Sequence, residues 1–560
     1  MTHRQDQKIK ETFSHDMEMN IVTLKEVTGK NIDLIQRDFV FHISRAVKGV
    51  CFYIDGLTDV EKVEKVLRSL VHIAKMKLND PLEGSPFHTT VVDELRKEVL
   101  INSSIKIESK VEPAVESILS GDTVFIIDGS DRVFIVSTKG WEKRSVDEPQ
   151  TEQVVRGPRD GFTESIRTNT ALVRRRIRDP LLRIEGMKIG KKSKTDVNIA
   201  YLEGTVKEGL VKETKKRLES IEIDGVIDSG YIEELIDDAP YSPFTTIQST
   251  ERPDKVAASI LEGRIAVFVD NSPFVLIAPT TFWQFLQASD DYYSRFLSGS
   301  FFRVVRYIAF LISLTLPSLY VMLVSFHQEM IPTPLALTIA SGREVVPFPV
   351  LLEALIMEIS FELMREAGLR MPKPVGQAVS IVGSLVIGQA AVQAGLVSPF
   401  MVIIIALTGI SSFTIPNSAA AVSIRLLRFP LLIAAGSLGL MGFAVMLTFI
   451  LIHALSLRSF GESYLAPISP FKPSDIKDMM VRSPWWKMDR QPQMAEGEEN
   501  RTGDNQKPTP PNHGESHGSK EGNGREKPKT GEVESEELFD SKSSYKIRNQ
   551  RKSKRRRVKK

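Results

Sequence analysis

The chain has 560 residues, a net charge of +3, 42% hydrophobic residues and a single cysteine, Cys51. That length is too great for one core, so two to four folded units are expected, and one cysteine excludes an intramolecular disulfide framework. The average conceals a split: apolar residues crowd into about 304–457, whereas both flanks are rich in charge.

Residues 1–30 are polar and are expected to be flexible. The chain does not open on a charged stretch, an apolar core and a small-residue cleavage site, so its first part is expected to fold without a cleaved signal peptide. From 31 to about 145 the pattern is mixed α/β. RDFVFHIS and VCFYIDGL read as strands, with Cys51 a small buried strand residue, and DVEKVEKVLRSLVHIAKMK reads as an amphipathic helix. DTVFIIDGSDRVFIVST reads as a hairpin turning at Asp128-Gly129-Ser130.

A polar linker at 143–153 leads into a second unit at about 155–290. There VNIAYLEG suggests a strand, VKEGLVKETKKRLESI a helix, Gly225–Ile227 a short strand and Pro253–Leu261 a helix. RIAVFVDNSPFVLIAPT closes the unit as a hairpin turning at Asp270-Asn271-Ser272-Pro273. The fold class expected is therefore two small layered α/β or α+β modules, then an all-α polytopic membrane domain at 300–460 and a disordered tail at 488–560.

The second unit opens on RGPRDGFTESIRTNTALVRRRIRDP, which holds seven arginines and no lysine. Rigid guanidinium forks suit bidentate contacts with carboxylates or phosphates. No aromatic interleaving or recognition motif accompanies them, so no nucleic acid is expected. A contact between modules or with a partner subunit is favoured, with Arg156, Arg159 and Arg167 as candidates.

In the apolar region, Phe302–Phe326 is long enough to cross a hydrocarbon core of about 30 Å. Arg303 and Arg306 at its start place the N-terminal modules in the cytoplasm by the positive-inside rule. Val375–Leu396, Pro399–Ile424 and Phe429–Leu457 make four clear spans. The acidic segment Pro349–Arg365 is a fifth crossing, a re-entrant helix or a helix lying at the surface. Five spans keep Arg365, Arg370, Lys373, Arg425 and Arg428 inside but export the basic tail, and four do the reverse.

That acidic segment is the candidate site. A carboxylate facing lipid costs several kcal/mol, so Glu353, Glu358 and Glu362 point to a pore-lining or bundle-facing helix. Leu352, Ile356 and Ile359 gather on the other side as a candidate gate. Gly376, Ser380, Ser384 and Gly388 recur every fourth residue, a spacing that lets helices pack closely. Pro416 interrupts a helix where Thr414 and Asn417 can satisfy the freed backbone, as at a kink or at a broken-helix site. The residues offer no catalytic motif, metal cluster or cofactor loop, so no enzyme is expected.

Several blocks resemble the A subunit of GerA-type spore germination receptors. They are REVVPFPVLLEALIMEISFELMREAGLRMPKPVGQAVSIVGSLVIGQAAVQAGLVSP, the arginine block above, SPFTTIQSTERPDKVAASILEGRIAVFVDNSPFVLIAPTTFWQF and SSFTIPNSAA. The resemblance covers about Phe39 to Pro484. It implies a multi-pass subunit of the spore inner membrane that works with a permease-like B subunit and a lipoprotein C subunit. It also implies oligomerisation into a ring around an ion path that opens on germinant binding, with the acidic helix as the pore candidate. An accessory protein of spore dipicolinate release, a solute transporter using the Pro416–Asn417 break and a non-conducting scaffold stay open as alternatives.

Overall fold

Alternating side chains on buried strands need cover on both faces, and the two N-terminal modules supply it in the same way. The computed structural model describes residues 11–41, 47–77, 105–140, 147–371, 388–471, 473–488, 491, 494–495 and 507–508. Residues 1–506 form one unit and 507–560 a second, so nearly all of the charged tail lies outside the described residues.

Module 1 is a five-stranded sheet of β1 (Leu34–Phe41), β2 (Val47–Ile54), β3 (Ile105–Glu108), β4 (Thr123–Ile127) and β5 (Val133–Val136), in the order β1-β2-β4-β5-β3. Val50, Phe52 and Ile54 point to one face, where Val111–Leu119 and the N-terminal helix Met17–Thr28 cover them. Cys51, Tyr53 and Phe125 point to the other, under Val63 and Val66 of the helix Val60–Lys77. Burial pushes the Cys51 thiol up to about 12.

Module 2 repeats the plan with β6 (Leu182–Ile189), β7 (Thr195–Leu202), β8 (Gln248–Thr250), β9 (Ile265–Val269) and β10 (Val275–Ala278), ordered β6-β7-β9-β10-β8. Position for position this is the order of module 1. Val197, Ile199 and Val267 face Leu210, Leu218 and Ile232, while Ala266, Phe268 and Ile277 face Leu172, Val256 and Ile260.

Both hairpins fall where expected, but every described strand pair is antiparallel, which makes the modules α+β rather than α/β. Two local expectations fail. The N-terminus carries a capped helix, Met17–Thr28, because Met17, Ile21 and Leu24 form an apolar stripe and Asp16 accepts from the Glu18 N–H. Gly225–Ile227 is not a strand: the Val226 N–H donates to Ser193 Oγ at 3.1 Å and its carbonyl accepts from Thr195 Oγ1 at 2.8 Å, leaving no ladder.

The helix Ser229–Ile236 adds a titrating group. Burial, with the charges of Asp237 and Asp228, raises the Glu233 carboxyl from 4.5 to about 7. The folded state therefore favours the protonated acid, and its contribution, complete below 4.5, is lost as pH rises through about 7. Glu233→Gln is expected to raise the melting temperature at pH 8 and leave it unchanged at pH 5. Equal shifts at both pH values would refute this.

In the helical part, Phe296–Phe326 and Ser418–Ser456 are the two described helices long and apolar enough to cross a membrane. The expected span Pro399–Ile424 is not continuous. It ends at Phe413 after 15 residues, and a new helix begins at Ser418. Most of Val375–Leu396, with Gly376, Ser380 and Ser384, lies outside the described residues. A Cβ on Gly388 would meet Val402 at 3.7 Å, so that glycine packs on the helix Pro399–Phe413.

Ser418–Ser456 is itself a hairpin. Gly439 has φ 59° and ψ −138°, open to glycine alone. A Cβ on Gly442 would sit 2.0 Å from the Ala434 carbonyl, whereas residues eight apart on a straight helix are about 12 Å apart. The first leg starts beside module 2, where Asn417 Nδ2 lies 3.5 Å from the Ser249 carbonyl. After the turn the Leu440 N–H donates to His327 Nε2, at the far end of Phe296–Phe326, at 3.1 Å. The second leg returns to module 2, with His453 Nε2 2.9 Å from Ser242 Oγ.

Candidate functional site

Pro349 opens the acidic helix Val350–Arg370, whose 21 residues extend about 31 Å. It runs back toward module 2 beside the first leg of the hairpin. Its two faces have opposite environments: Leu352, Ile356 and Ile359 are 43%, 40% and 50% exposed, whereas Glu353 and Glu358 are 0% and 1% exposed. The acids therefore face the interior of the bundle. Of the arrangements expected for this segment, the burial of Glu353 and Glu358 matches a bundle-facing helix and not one lying flat with its acids in water.

Each acid has partners from other helices. Glu353 Oε1 accepts from the Ser398 N–H and Oγ, both at 2.6 Å, at the start of the helix Pro399–Phe413. Its other oxygen lies 3.6 Å from Arg343 Nε. Glu358 Oε2 accepts from Arg428 Nη1 at 2.7 Å. Glu362 Oε2 is held by Arg425 at 3.2 Å and Arg365 at 2.7 Å. A buried charge is costly unless it is paired, and each of these acids has an arginine from another helix within 3.6 Å.

Arg428 shows how sequence builds the ladder. Pro317 has no N–H, so the Ser313 carbonyl four residues earlier lacks its helical donor. Arg428 Nε donates to that carbonyl at 2.8 Å, and Nη2 donates to Ser313 Oγ at 3.0 Å. One guanidinium thus joins three helices. Arg425 and Arg428, taken as loop charges outside the spans, are in fact buried within a helix. One oxygen of each acid (Glu353 Oε2, Glu358 Oε1, Glu362 Oε1) has no hydrogen-bond partner among the described residues.

The break at 414–417 is complete. Thr414 Oγ1 donates to the Ser411 carbonyl at 2.8 Å, Pro416 donates nothing, and Asn417 Oδ1 caps the next helix by accepting from the Ala420 N–H at 3.0 Å. Ile415 packs with Phe244 and Phe285, so the break sits against module 2.

Among the arginine candidates, Arg167 reaches Asp55 of module 1 at 3.4 Å and Arg159 lies 3.9 Å from Glu148. Arg156 offers its backbone N–H to Asp290 at 3.3 Å. A buried ion pair between modules comes from another residue, Arg174, which donates to Asp33 at 2.7 and 3.0 Å. Arg303 and Arg306, read as topology signals, are buried and partly buried respectively, and pair with Asp291 at 3.1 and 3.0 Å. The signal that finds Arg343, Arg425 and Arg428 is the rule that charge inside an apolar region needs a counter-charge.

The model of the Bacillus/Clostridium GerA spore germination protein family matches residues 22–494. The uncharacterized membrane protein YfkQ of Bacillus subtilis is 46% identical over 481 residues, covering 86% of this chain and 91% of its own. Spore germination protein KA of the same organism is 44% identical over 501 residues, covering 89% and 90%. The solved N-terminal domain of the A subunit of the Bacillus megaterium spore germinant receptor GerK3 is 36% identical and covers 48% of this chain and 97% of its own, with a TM-score of 0.38. On the extent of that family match and on these identities, the chain belongs to the Bacillus/Clostridium GerA spore germination protein family.

Proposed function

We propose that this chain is the A subunit of a spore germinant receptor, a multi-pass protein of the spore inner membrane that acts with a permease-like B subunit and a lipoprotein C subunit. Copies assemble into a ring whose closed state blocks cations until germinant binds a partner subunit. The observation that supports this reading best is the two-faced helix Val350–Arg370. Its acids are tied inward to Arg343, Arg425 and Arg428, while Leu352, Ile356 and Ile359 stand outward, free to form a ring constriction. An apolar constriction blocks ions by excluding water, and nearby carboxylates favour cations once it widens. The unbonded oxygens of Glu353, Glu358 and Glu362 lie directly behind that face on the same helix. A near-complete switch needs about 5.5 kcal/mol of differential affinity between closed and open states.

The test is conductance in planar bilayers, with the B and C subunits present. Leu352→Ala, Ile356→Ala and Ile359→Ala are expected to raise current without nutrient, because a smaller side chain wets the constriction. If all three are silent, this helix is not the gate. A scaffold role is the second reading, favoured by how tightly the acid–arginine ladder closes the protomer. It predicts that Glu362→Gln weakens the complex and never alters ion selectivity.

A further inference from the structure

Past the last helical leg the chain does not leave the protein. Residues 457–471 and 473–488 fold back as a strap along module 2 and the start of Phe296–Phe326. Ser459 Oγ donates to the Thr246 carbonyl at 2.7 Å and accepts from the Thr280 N–H at 3.0 Å. Further on, Tyr307 OH donates to the Met479 carbonyl at 2.7 Å, and Ser300 Oγ donates to the Arg482 carbonyl at 3.1 Å. Arg303, fully buried, pairs with Asp478 Oδ1 at 3.1 Å, and Tyr292 OH donates to Asp478 Oδ2 at 2.6 Å. The polar side of the strap is thus turned inward. Tyr307 and Ser300 are seven residues apart, so these bonds hold the strap along about 10 Å of the helix.

The outer side has the opposite character. Met480, Val481 and Trp485 are each about half exposed, and on the same stretch of the helix Leu297, Phe301 and Phe302 are more exposed still. Their surface continues into the outward apolar face of the helix at Ile308 and Leu311. Contiguous apolar surface of this kind marks an interaction site. Arg295, Lys477 and Lys487 stand exposed in the same segments. Aromatic and apolar groups with flanking cations suit the headgroup level of an anionic bilayer.

We infer that the strap and the first turns of Phe296–Phe326 form a lipid-docking foot, whose apolar outer face enters the headgroup boundary of the leaflet on the side of module 2. The inference rests on the membrane reading proposed above and adds a second lipid contact, made by chain that lies after the last crossing. The occupant is lipid rather than a second copy, because the patch is continuous with the apolar face of a membrane-length helix. The lock of Arg303 on Asp478 makes foot, helix and module 2 move as one body.

Spin labelling tests it in the full chain, in liposomes of mixed zwitterionic and anionic phospholipid. Cys51 is fully buried with its thiol pushed up to about 12, so it stays unlabelled. Nitroxides are placed singly through Val481→Cys, Leu311→Cys and, on the fully exposed Tyr241 of module 2, Tyr241→Cys. At 481 and 311, collision with oxygen is expected to exceed collision with a water-soluble nickel chelate, and at 241 the order is reversed. If nickel exceeds oxygen at 481, the patch faces water and the foot is wrong. If neither reagent reaches 481, protein covers it, and the lipid assignment fails in favour of a second copy. Nickel access at 311 would instead remove the membrane reading, and the foot with it.

Discussion

Arg428→Leu is expected to cost the fold about 3–5 kcal/mol, the penalty for stranding a buried carboxylate by removing its partner. Glu358 is 1% exposed and its ion pair is Arg428, at 2.7 Å. Removing the guanidinium also strips the donor from the Ser313 carbonyl that Pro317 leaves without its helical bond. The double variant Glu358→Leu/Arg428→Leu is expected to recover most of the loss, because an apolar pair of similar volume is often as stable as a buried ion pair. Thermal unfolding of the purified chain in detergent measures both. A double variant no better than the single would mean that Glu358 is not stabilised by Arg428. The two carboxylates on either side, tied to Arg343 and Arg425, serve as internal comparisons.

Asp33→Ala should be comparably damaging, by about 3–5 kcal/mol, and its signature should be loss of cooperativity between the modules. Asp33 lies at the entry to module 1 and takes both forks of Arg174, which is 1% exposed and otherwise bonds the Leu182 carbonyl at 2.9 Å. Around it the Ile32 N–H donates to the Ile184 carbonyl at 3.0 Å, and the Ile184 N–H donates to Asn31 Oδ1 at 2.7 Å. The two sheets are thus joined by a short backbone seam with one buried charge pair at its centre. Calorimetry should resolve two transitions in Asp33→Ala where the parent shows one for this region. Arg167→Ala, which breaks an exposed pair with Asp55, is expected to cost no more than about 1 kcal/mol. If the two variants behave alike, the buried pair is not the coupling element.

The elements with a strong local pattern were legible from sequence. Both hairpins, the helices at 60–77, 208–219 and 253–261 and the long apolar helix ending at 326 follow from period and turn chemistry. The helix Met17–Thr28 was missed: its buried residues Met17, Asn20, Ile21, Leu24 and Thr28 keep helical spacing, but its polar majority hides the stripe. Strand β6 was not, because LRIEGMKI is buried at its ends and half-exposed in its middle. The shared strand order of the two modules leaves no repeated motif, since an order is set by which edges pair and not by any residue. At the site, the need of Glu353 and Glu358 for partners was readable, but the identity of Ser398 and Arg428 was not. Those partners lie 45 and 70 residues away and meet the acids only after the helices pack.

The reversal at Gly439 bears on how the chain enters a bilayer. From Leu431 to Ile452 the sequence carries no charged residue, and its turn is a single glycine flanked by leucines. Two apolar legs joined this tightly can enter lipid as one folded pair, each satisfying its own backbone hydrogen bonds on the way in. No hydrophilic connection has to be carried through the hydrocarbon to complete them. Under the membrane reading proposed above, insertion of this part of the chain becomes a partitioning step in which the hairpin slides in tip first. Any side chain at Gly442 would hold the legs apart and leave the second stranded at the surface where synthesis delivered it.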